Sequence, residues 1–257
     1  MNALIVYAHP EPKSMNGALK DAAVRALTDA GWQVEVSDLH AQDFRAAAGW
    51  EDFTRPVSPG RLSYVHEQRY ATKGGYYSVD IVAEQEKVRR ADLIIFQFPL
   101  WWYAVPAILK GWADRVLANG FAYDEQHMFE DGLLRGKRAM LSFTTGGTEA
   151  ELIADREHTG TVDEFMRPFS GGVLKFTGMQ VLPPFIAYAP ASLDEAGRRS
   201  QILQYEYRLT AVAMRLDRIR AETDAMAVET GGTGSQASLL STAGATKLDA
   251  HTLDEPQ

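Results

Sequence analysis

Short hydrophobic runs alternate along the chain with stretches that carry a helical periodicity. The first and third runs are almost continuously apolar, which indicates strands that are covered on both faces. Strands that alternate with helices predict βαβ units and a doubly wound α/β fold, with five parallel strands and helices on both faces of the sheet. The runs are Ala3–Ala8, Gln33–Val36, Leu93–Phe98, Ala139–Thr144 and Gln180–Ala187.

Four segments have the pattern of helices. A face of leucines and alanines over Leu19–Ala30 ends at Gly31, a residue favoured just beyond a helix C-terminus. Residues 79–90 form a second predicted helix, and a proline opens a third over about 106–117. The fourth segment has a stripe of apolar residues that covers fewer than three heptads. This length favours a helix packed on the sheet over a coiled-coil seam. The members of the stripe are Ile202, Tyr205, Leu209, Val212, Leu216 and Ile219.

The alternation is interrupted by two insertions, and the composition changes toward the C-terminus. The insertions are rich in aromatics and glycines, which indicates ordered structure; they are residues 41–77 and 148–175. In 230–246, 14 of 17 residues are Gly, Ser, Thr or Ala, too few apolar groups to offset the entropy of ordering. We therefore predict one folded domain over 1–225 and a disordered tail over 229–257. Gly232–Ala237 matches a dinucleotide fingerprint by letter, but no predicted strand precedes it and no predicted helix follows.

The composition excludes several classes of chemistry. The 257 residues include no cysteine, so thiolate catalysis, Cys-ligated zinc, iron–sulfur clusters and dithiol redox chemistry are excluded, and redox work needs an organic cofactor. A net charge of −8 with scattered basic residues argues against a nucleic-acid partner. No apolar run approaches the roughly 20 residues that span a bilayer, and no signal peptide or metal-ligand spacing is evident. We expect a cytoplasmic protein.

Three predicted strands end in segments suited to a ligand, and the carboxyl ends of parallel strands meet at one edge of a sheet. After the first strand, Ser14 and Asn16 can cap a helix while loop amides face an anion. The third strand ends in the aromatics 101–103, which can stack beside a planar ring, and the fourth in 144–147 (TTGG), where the backbone can approach a ligand. Each segment alone also fits a purely structural role: the first could be an ordinary helix N-cap, and the second a loop of buried aromatic side chains. Together they predict a binding site, and the lack of a glycine-rich first loop leaves room for a flavin phosphate.

These features resemble the mammalian-type NAD(P)H:quinone oxidoreductases, flavoproteins with a flavodoxin-like fold. The resemblance covers roughly residues 1–220, and its longest segment is nearly unbroken. It implies a flavodoxin-like sheet, bound FAD rather than FMN, NAD(P)H as co-substrate, a small quinone or aromatic substrate, and a homodimer with active sites at the subunit interface. The segments that carry it are HPEPKSMN (9–16), DIVAEQ (80–85), ADLIIFQFPLWWYAVPAILKGWADRV (91–116), FAY (121–123), FTTGG (143–147) and FTGMQVL (176–182).

The resemblance also implies which residues form the site, matched by motif position. The pyrophosphate and adenylate side would be held by His9, Ser14, Met15, Asn16 and Ala18, and by Arg199 or, with a one-residue shift, Arg198. One edge of the isoalloxazine would be flanked by Pro99, Leu100, Trp101, Trp102 and Tyr103. Its other edge would meet Thr144, Thr145, Gly146 and Gly147. The partner subunit would contribute Tyr123, Met128 and Phe176.

Two positions depart from the family pattern, and both concern the substrate pocket. Leu152 and Glu125 stand where the family has tyrosines, and His158 matches the family's active-site histidine only with a one-residue insertion. We expect a ping-pong two-electron reduction, in which NAD(P)H delivers a hydride to the flavin and leaves before a quinone takes it up. Trp102 and Tyr103 would stack on the planar substrate, and His158 would donate a proton or stabilise negative charge on the reduced flavin.

Three other functions are compatible with these residues. One is an FMN-dependent azo- or nitroaromatic reductase of the same fold, another a regulatory ancillary subunit of a potassium-efflux system, and the third a flavodoxin-like electron carrier. The aromatic cluster and the long insertions argue against the carrier, which needs no nicotinamide pocket. The choice between FAD and FMN depends on whether the first loop and Arg199 reach an adenylate.

Overall fold

A five-stranded parallel sheet forms the centre of the protein, for which a computed structural model describes residues 1–58 and 60–231. The strand order is β2-β1-β3-β4-β5, and each strand lies within two residues of a predicted run. The strands are β1 (Asn2–Tyr7), β2 (Gln33–Asp38), β3 (Leu93–Pro99), β4 (Arg138–Thr144) and β5 (Gln180–Ala187). The predicted doubly wound parallel fold is confirmed.

Helices connect the strands and occupy both insertions. Those that connect or follow strands are α1 (Met15–Asp29), α3 (Val79–Arg90), α4 (Ala107–Val116) and α8 (Glu195–Gly231). The insertions contain α2 (Tyr64–Gly74), α5 (Glu149–Ala154), α6 (Arg156–Thr159) and α7 (Val162–Phe169). A π-helical segment covers Ser170–Lys175, and 3₁₀ turns cover Trp50–Asp52, Phe129–Asp131 and Pro190–Ser192.

The two central strands are buried on both faces, as their apolar runs predict. Side chains alternate across a strand. Leu4 of β1 and Ile94 of β3 therefore point into a core shared with α3 and α4, whereas Ile5 points to the opposite face, against which α1 packs. On the edge strand β5, Phe185 lies 4.5 Å from Tyr205 of α8, measured between ring centroids. Every one of these side chains is buried.

Strand β5 includes two consecutive prolines, Pro183 and Pro184, which central strands do not tolerate. Proline cannot donate a ladder hydrogen bond, so it is confined to edge strands and irregular positions. β5 is an edge strand, and its register with β4 shifts between Met140 and Ser142, beside the prolines.

The chain divides into two units, residues 1–215 and 216–257. The first contains the whole sheet, and the second is described over 216–231, which continues α8. The predicted tail at 229–257 starts inside this helix, and from residue 232 on, including Gly232–Ala237, it lies outside the described residues. No helix in the described part of the chain is long and apolar enough to cross a membrane.

Candidate functional site

A cleft of about 420 Å³ opens at the carboxyl ends of β1, β3 and β4, the edge of the sheet that the sequence indicates. This volume lies within the range typical of small-molecule sites. The residues that line it are His9, Ser14, Met15, Asn16, Pro99, Leu100, Trp101, Thr144, Thr145, Gly146, Pro190, Ala191 and Arg198.

The structure therefore brings together members of all three predicted loops. Of the residues expected at the flavin site, those outside the cleft lining are Ala18, Trp102, Tyr103, Gly147 and Arg199. Arg198 lines the cleft and is half-buried, whereas Arg199 is exposed, so the structure favours the shifted alternative at this position. Pro190 and Ala191, from the segment after β5, were not predicted. The rule that identified the other three loops, a segment after the carboxyl end of a strand, applies equally to β5.

The loop before α1 is held against the first turn of that helix. Ser14 caps the helix by accepting a hydrogen bond from the Gly17 amide at 3.2 Å. A Cβ atom on Gly17 would lie 1.9 Å from the Pro12 carbonyl oxygen, so this close approach requires glycine. His9 is anchored by its Nδ1, 3.0 Å from the Glu11 amide nitrogen, and burial lowers its pKa. An N-terminus arranged in this way is suited to an anion.

Asn16 does not cap the helix, contrary to the sequence prediction. It lies in the first turn of α1, where its buried side chain connects β3 to β4. Its Nδ2 donates to Thr144 Oγ1 at 2.8 Å, and its Oδ1 accepts from Gln97 Nε2 at 2.8 Å. Gln97 was not predicted as a site residue, because a glutamine inside an apolar run carries no motif.

The aromatic segment after β3 forms a tight turn. Trp101 and Ala104 exchange two backbone hydrogen bonds, at 3.2 and 3.0 Å, and the two residues between them have φ angles of +52° and +54°. Positive φ at both central positions defines a type I′ turn, which normally contains Asn and Gly. Here they are Trp102, which is 97% exposed, and Tyr103, which contacts Phe165 at a centroid distance of 5.5 Å. Residues other than glycine rarely adopt this backbone conformation, and such backbone strain is concentrated at functional sites.

The chemistry of the cleft fits a planar, phosphate-bearing group such as a flavin. Among the described residues, the backbone amide of Gly146, which lines the cleft, donates no hydrogen bond, and a Cβ atom there would meet nothing within 4 Å. The amides of Trp102, Tyr103 and Gly147, which belong to the same loops as lining residues but do not line the cleft, also donate none within the described part of the chain. Amides of this kind can bind the polar edge of a ring system, while the N-terminus of α1 suits a phosphate.

Two residues expected from a partner subunit lie at a second cavity of about 350 Å³, which shares no lining residue with the cleft. Tyr123 and Phe176 line this cavity with their rings 5.1 Å apart, and burial raises the pKa of Tyr123. Met128 is exposed nearby in the chain, as is Phe129, which packs edge-on against Phe176. Within one chain, these residues are separate from the cleft.

The positions that depart from the family pattern line neither cavity. Leu152 of α5 is half-buried and lies 3.2 Å from where a Cβ of Gly147 would be, so it borders the glycine loop. His158, on the short helix α6, is exposed and does not line the cleft. Glu125, two residues after Tyr123, forms an ion pair with Arg69.

A buried ion network holds the first insertion against α4. Arg115 donates from Nε to Asp52 Oδ1 at 2.9 Å and from Nη2 to Asp80 Oδ2 at 2.7 Å. The other carboxylate oxygen of Asp52 accepts from the Tyr64 hydroxyl at 2.6 Å and from the Gly49 amide at 3.1 Å. Burial and this carboxylate raise the pKa of Tyr64, whose side chain lines the second cavity. The network therefore fixes one wall of that cavity.

The strand order and the position of the cleft define the class to which the protein belongs, the doubly wound flavodoxin-like α/β proteins. A family model described as "Flavodoxin-like fold" matches residues 1–209, and the chain belongs to this family. The resemblance found in the sequence motifs is thereby confirmed.

Several relatives of the chain are named as quinone dehydrogenases or quinone reductases. Human ribosyldihydronicotinamide dehydrogenase [quinone] is 47% identical over 210 residues, which cover 81% of this chain and 90% of the relative. NAD(P)H dehydrogenase [quinone] 1 of Rattus norvegicus is 43% identical over 211 residues, covering 82% and 77%. The crystal structure of a candidate quinone reductase from Klebsiella pneumoniae is 40% identical, with a TM-score of 0.77 over 82% of this chain and 85% of the other.

Proposed function

We propose that the protein is an oxidoreductase that reduces quinones with electrons from NAD(P)H, by a ping-pong reaction through FAD bound in the cleft. The observation that carries the proposal is the meeting of three loops, after β1, β3 and β4, at one cleft, where two of these loops have backbone amides that donate to no described residue. The names of both relatives support quinone reduction, and the name of the relative at 43% identity supports NAD(P)H as the electron donor. Bound flavin would supply hydride transfer, accepting a hydride from the nicotinamide and passing it to the quinone.

The residues of the chain would bind and orient the reactants. The capped N-terminus of α1 and His9 would hold phosphate oxygens, and the amides of Gly146 and Gly147 would bind the polar edge of the ring. Trp102 and Tyr103 would present flat surfaces on which a nicotinamide and a quinone stack in turn. His158 would supply a proton to the reduced quinone.

We further propose that the active form is a homodimer. Tyr123, Met128 and Phe176 lie apart from the cleft of their own chain, and Met128 and Phe129 are exposed. A second copy that brought these side chains to the cleft would enclose the substrate opposite the strained turn. The nearly fully exposed Trp102 supports this arrangement, because a large exposed aromatic side chain is typical of a residue that is covered in a complex.

The direct test is to purify the full chain, release any bound flavin and identify it by chromatography. The holoprotein is then mixed with NADH, NADPH or dihydronicotinamide riboside and a simple benzoquinone. We expect FAD at about one per chain and oxidation of at least one donor that depends on the quinone. A colourless protein that takes up neither FAD nor FMN would contradict the proposal, and FMN as the bound group would contradict its FAD part.

Arg198→Ala is expected to weaken FAD binding by about tenfold and to leave FMN binding within about twofold, since FMN lacks the adenylate. Arg198 lines the cleft beside Pro190 and Ala191, two residues of the segment after β5. This position suits a residue that contacts the adenylate end of FAD. Flavin fluorescence quenching on titration of the apoprotein measures both dissociation constants. Arg199→Ala is the matched control, an adjacent exposed arginine for which no change is expected. Equal losses for FAD and FMN would show that Arg198 does not contact the adenylate.

A further inference from the structure

Three buried polar side chains form a hydrogen-bonded chain that leads from the interior of the sheet to the cleft. Gln97 of β3 and Asn16 of α1 are buried, and neither is needed for secondary structure. The Gln97 amide nitrogen donates to the Asn16 oxygen, whose own amide nitrogen donates to Thr144 Oγ1, with both distances at 2.8 Å. Asn16 and Thr144 line the cleft, whereas Gln97 does not. The chain thus connects an interior strand residue to a hydroxyl at the site.

The direction of these bonds determines what Thr144 offers to a ligand. A hydroxyl has one proton and two lone pairs. Thr144 Oγ1 accepts from Asn16, and no acceptor for its own proton lies among the described residues, so the proton is available to the cleft. Gln97 maintains this direction: while its NH₂ group faces Asn16, Asn16 must turn its oxygen to Gln97 and its NH₂ to Thr144.

A second observation indicates that the chain is not there for stability alone. The Gln97 side-chain oxygen is buried and has no hydrogen-bond partner among the described residues. A buried polar atom left in this state disfavours folding, and an apolar side chain of similar size would avoid the penalty. Glutamine at this position therefore serves the orientation of Asn16 better than it serves the core.

We propose that Gln97 is a positioning residue that acts through Asn16 to hold the Thr144 hydroxyl as a hydrogen-bond donor to an oxygen in the ribityl-phosphate part of the bound flavin. The inference rests on the proposed function. The ribityl-phosphate part is favoured because Asn16 lies in the first turn of α1, the end suited to phosphate, and Thr144 is one hydrogen bond away.

A double-mutant cycle on flavin binding tests this chain of contacts. Thr144→Val removes the hydroxyl, and Gln97→Met removes the amide that orients Asn16. For FAD and FMN titrated into apoprotein, we expect affinity losses of about tenfold for Thr144→Val and about fivefold for Gln97→Met. The double variant is expected to bind no more weakly than Thr144→Val alone, because Gln97 acts through the hydroxyl. Thr144→Ser, which keeps the hydroxyl, should bind within about twofold of wild type.

Two controls separate this role from folding and from the proposed function. Ser142→Ala removes another buried hydroxyl of β4 that does not line the cleft, and it is expected to leave the flavin affinity unchanged. Additive losses in the cycle, or an affinity of Thr144→Val equal to that of wild type, would overturn the inference. The proposed function would still stand in that case, provided that the wild-type protein binds flavin. If wild-type apoprotein binds no flavin, the proposed function itself fails.

Discussion

Replacing Trp102 and Tyr103 by Asn and Gly is expected to lower kcat/KM for a quinone by about 10- to 100-fold, without destabilising the fold. The activity falls because two stacking surfaces are lost, each contributing about 0.5–1.5 kcal/mol. The fold is retained because Asn-Gly is the preferred pair for a type I′ turn, and each aromatic in the left-handed region costs about 1–2 kcal/mol. Trp102 loses little burial on replacement, since it is 97% exposed, whereas Tyr103 loses its contact with Phe165.

The measurements are steady-state kinetics with a quinone and thermal unfolding of the same preparations. We expect a melting temperature equal to that of wild type or a few degrees higher. Tyr207→Asn is the matched control, because it removes another strongly exposed aromatic, on α8, whose backbone is helical. Full activity in the Asn-Gly variant would exclude a role for the turn in the reaction. A marked loss of stability would show that the turn is not strained.

The central strands β1 and β3 could be predicted almost completely because parallel strands buried on both faces must be apolar throughout, whereas the edge strands β2 and β5 are partly exposed and have weaker patterns. The helices of the second insertion were harder to predict from the sequence, since α5, α6 and α7 are at most eight residues long and α7 contains Pro168. Two capping boxes mark their starts all the same. Thr148 and Glu151 cap α5, and Thr161 and Glu164 cap α7, each by reciprocal side-chain bonds. A Thr-x-x-Glu pattern is visible in sequence, so these starts were predictable.

The location of the cleft followed from topology, but its detailed geometry did not. The rule that ligands bind at strand carboxyl ends needs only the strand order. The positive φ angles of Trp102 and Tyr103 are not readable from sequence, because aromatic residues disfavour that conformation. The bonds that Asn16 makes to Gln97 and Thr144, 81 and 128 residues away in sequence, are formed only by the tertiary fold. Local patterns such as caps and turns carry no information about pairs of this kind.

Arg115→Met is expected to destabilise the protein by about 3–5 kcal/mol, the usual cost of removing one member of a buried ion pair. Arg115 and Asp52 are 1% and 0% exposed, so the carboxylate would lose its principal partner without gaining water. Arg45 also pairs with Asp52 and would compensate in part, which favours the lower end of the range. Urea unfolding at neutral pH, followed by far-UV circular dichroism, measures the change.

Two further variants distinguish loss of the ion pair from loss of packing. The double variant Asp52→Asn/Arg115→Met removes the uncompensated charge but keeps an acceptor for the Tyr64 hydroxyl. It should therefore be more stable than Arg115→Met alone. Arg90→Met breaks an exposed ion pair with Glu35 and is expected to cost less than about 1 kcal/mol. A double variant as unstable as Arg115→Met would show that packing of the arginine stem, and not charge, is the main contribution.

The pH dependence of stability gives an independent check on Arg115, through its second carboxylate partner. Burial alone would raise the pKa of Asp80, but hydrogen bonds from Ser78 and Arg115 hold that pKa below its usual value. A carboxyl whose pKa is lower in the folded state stabilises the fold above its unfolded-state pKa of about 4, and this stabilisation is lost as the pH falls through the folded value. Arg115→Met removes the second of these hydrogen bonds, so its free energy of unfolding should decline less than that of wild type below about pH 4. Parallel acid profiles for the two proteins would mean that Arg115 does not stabilise the Asp80 carboxylate.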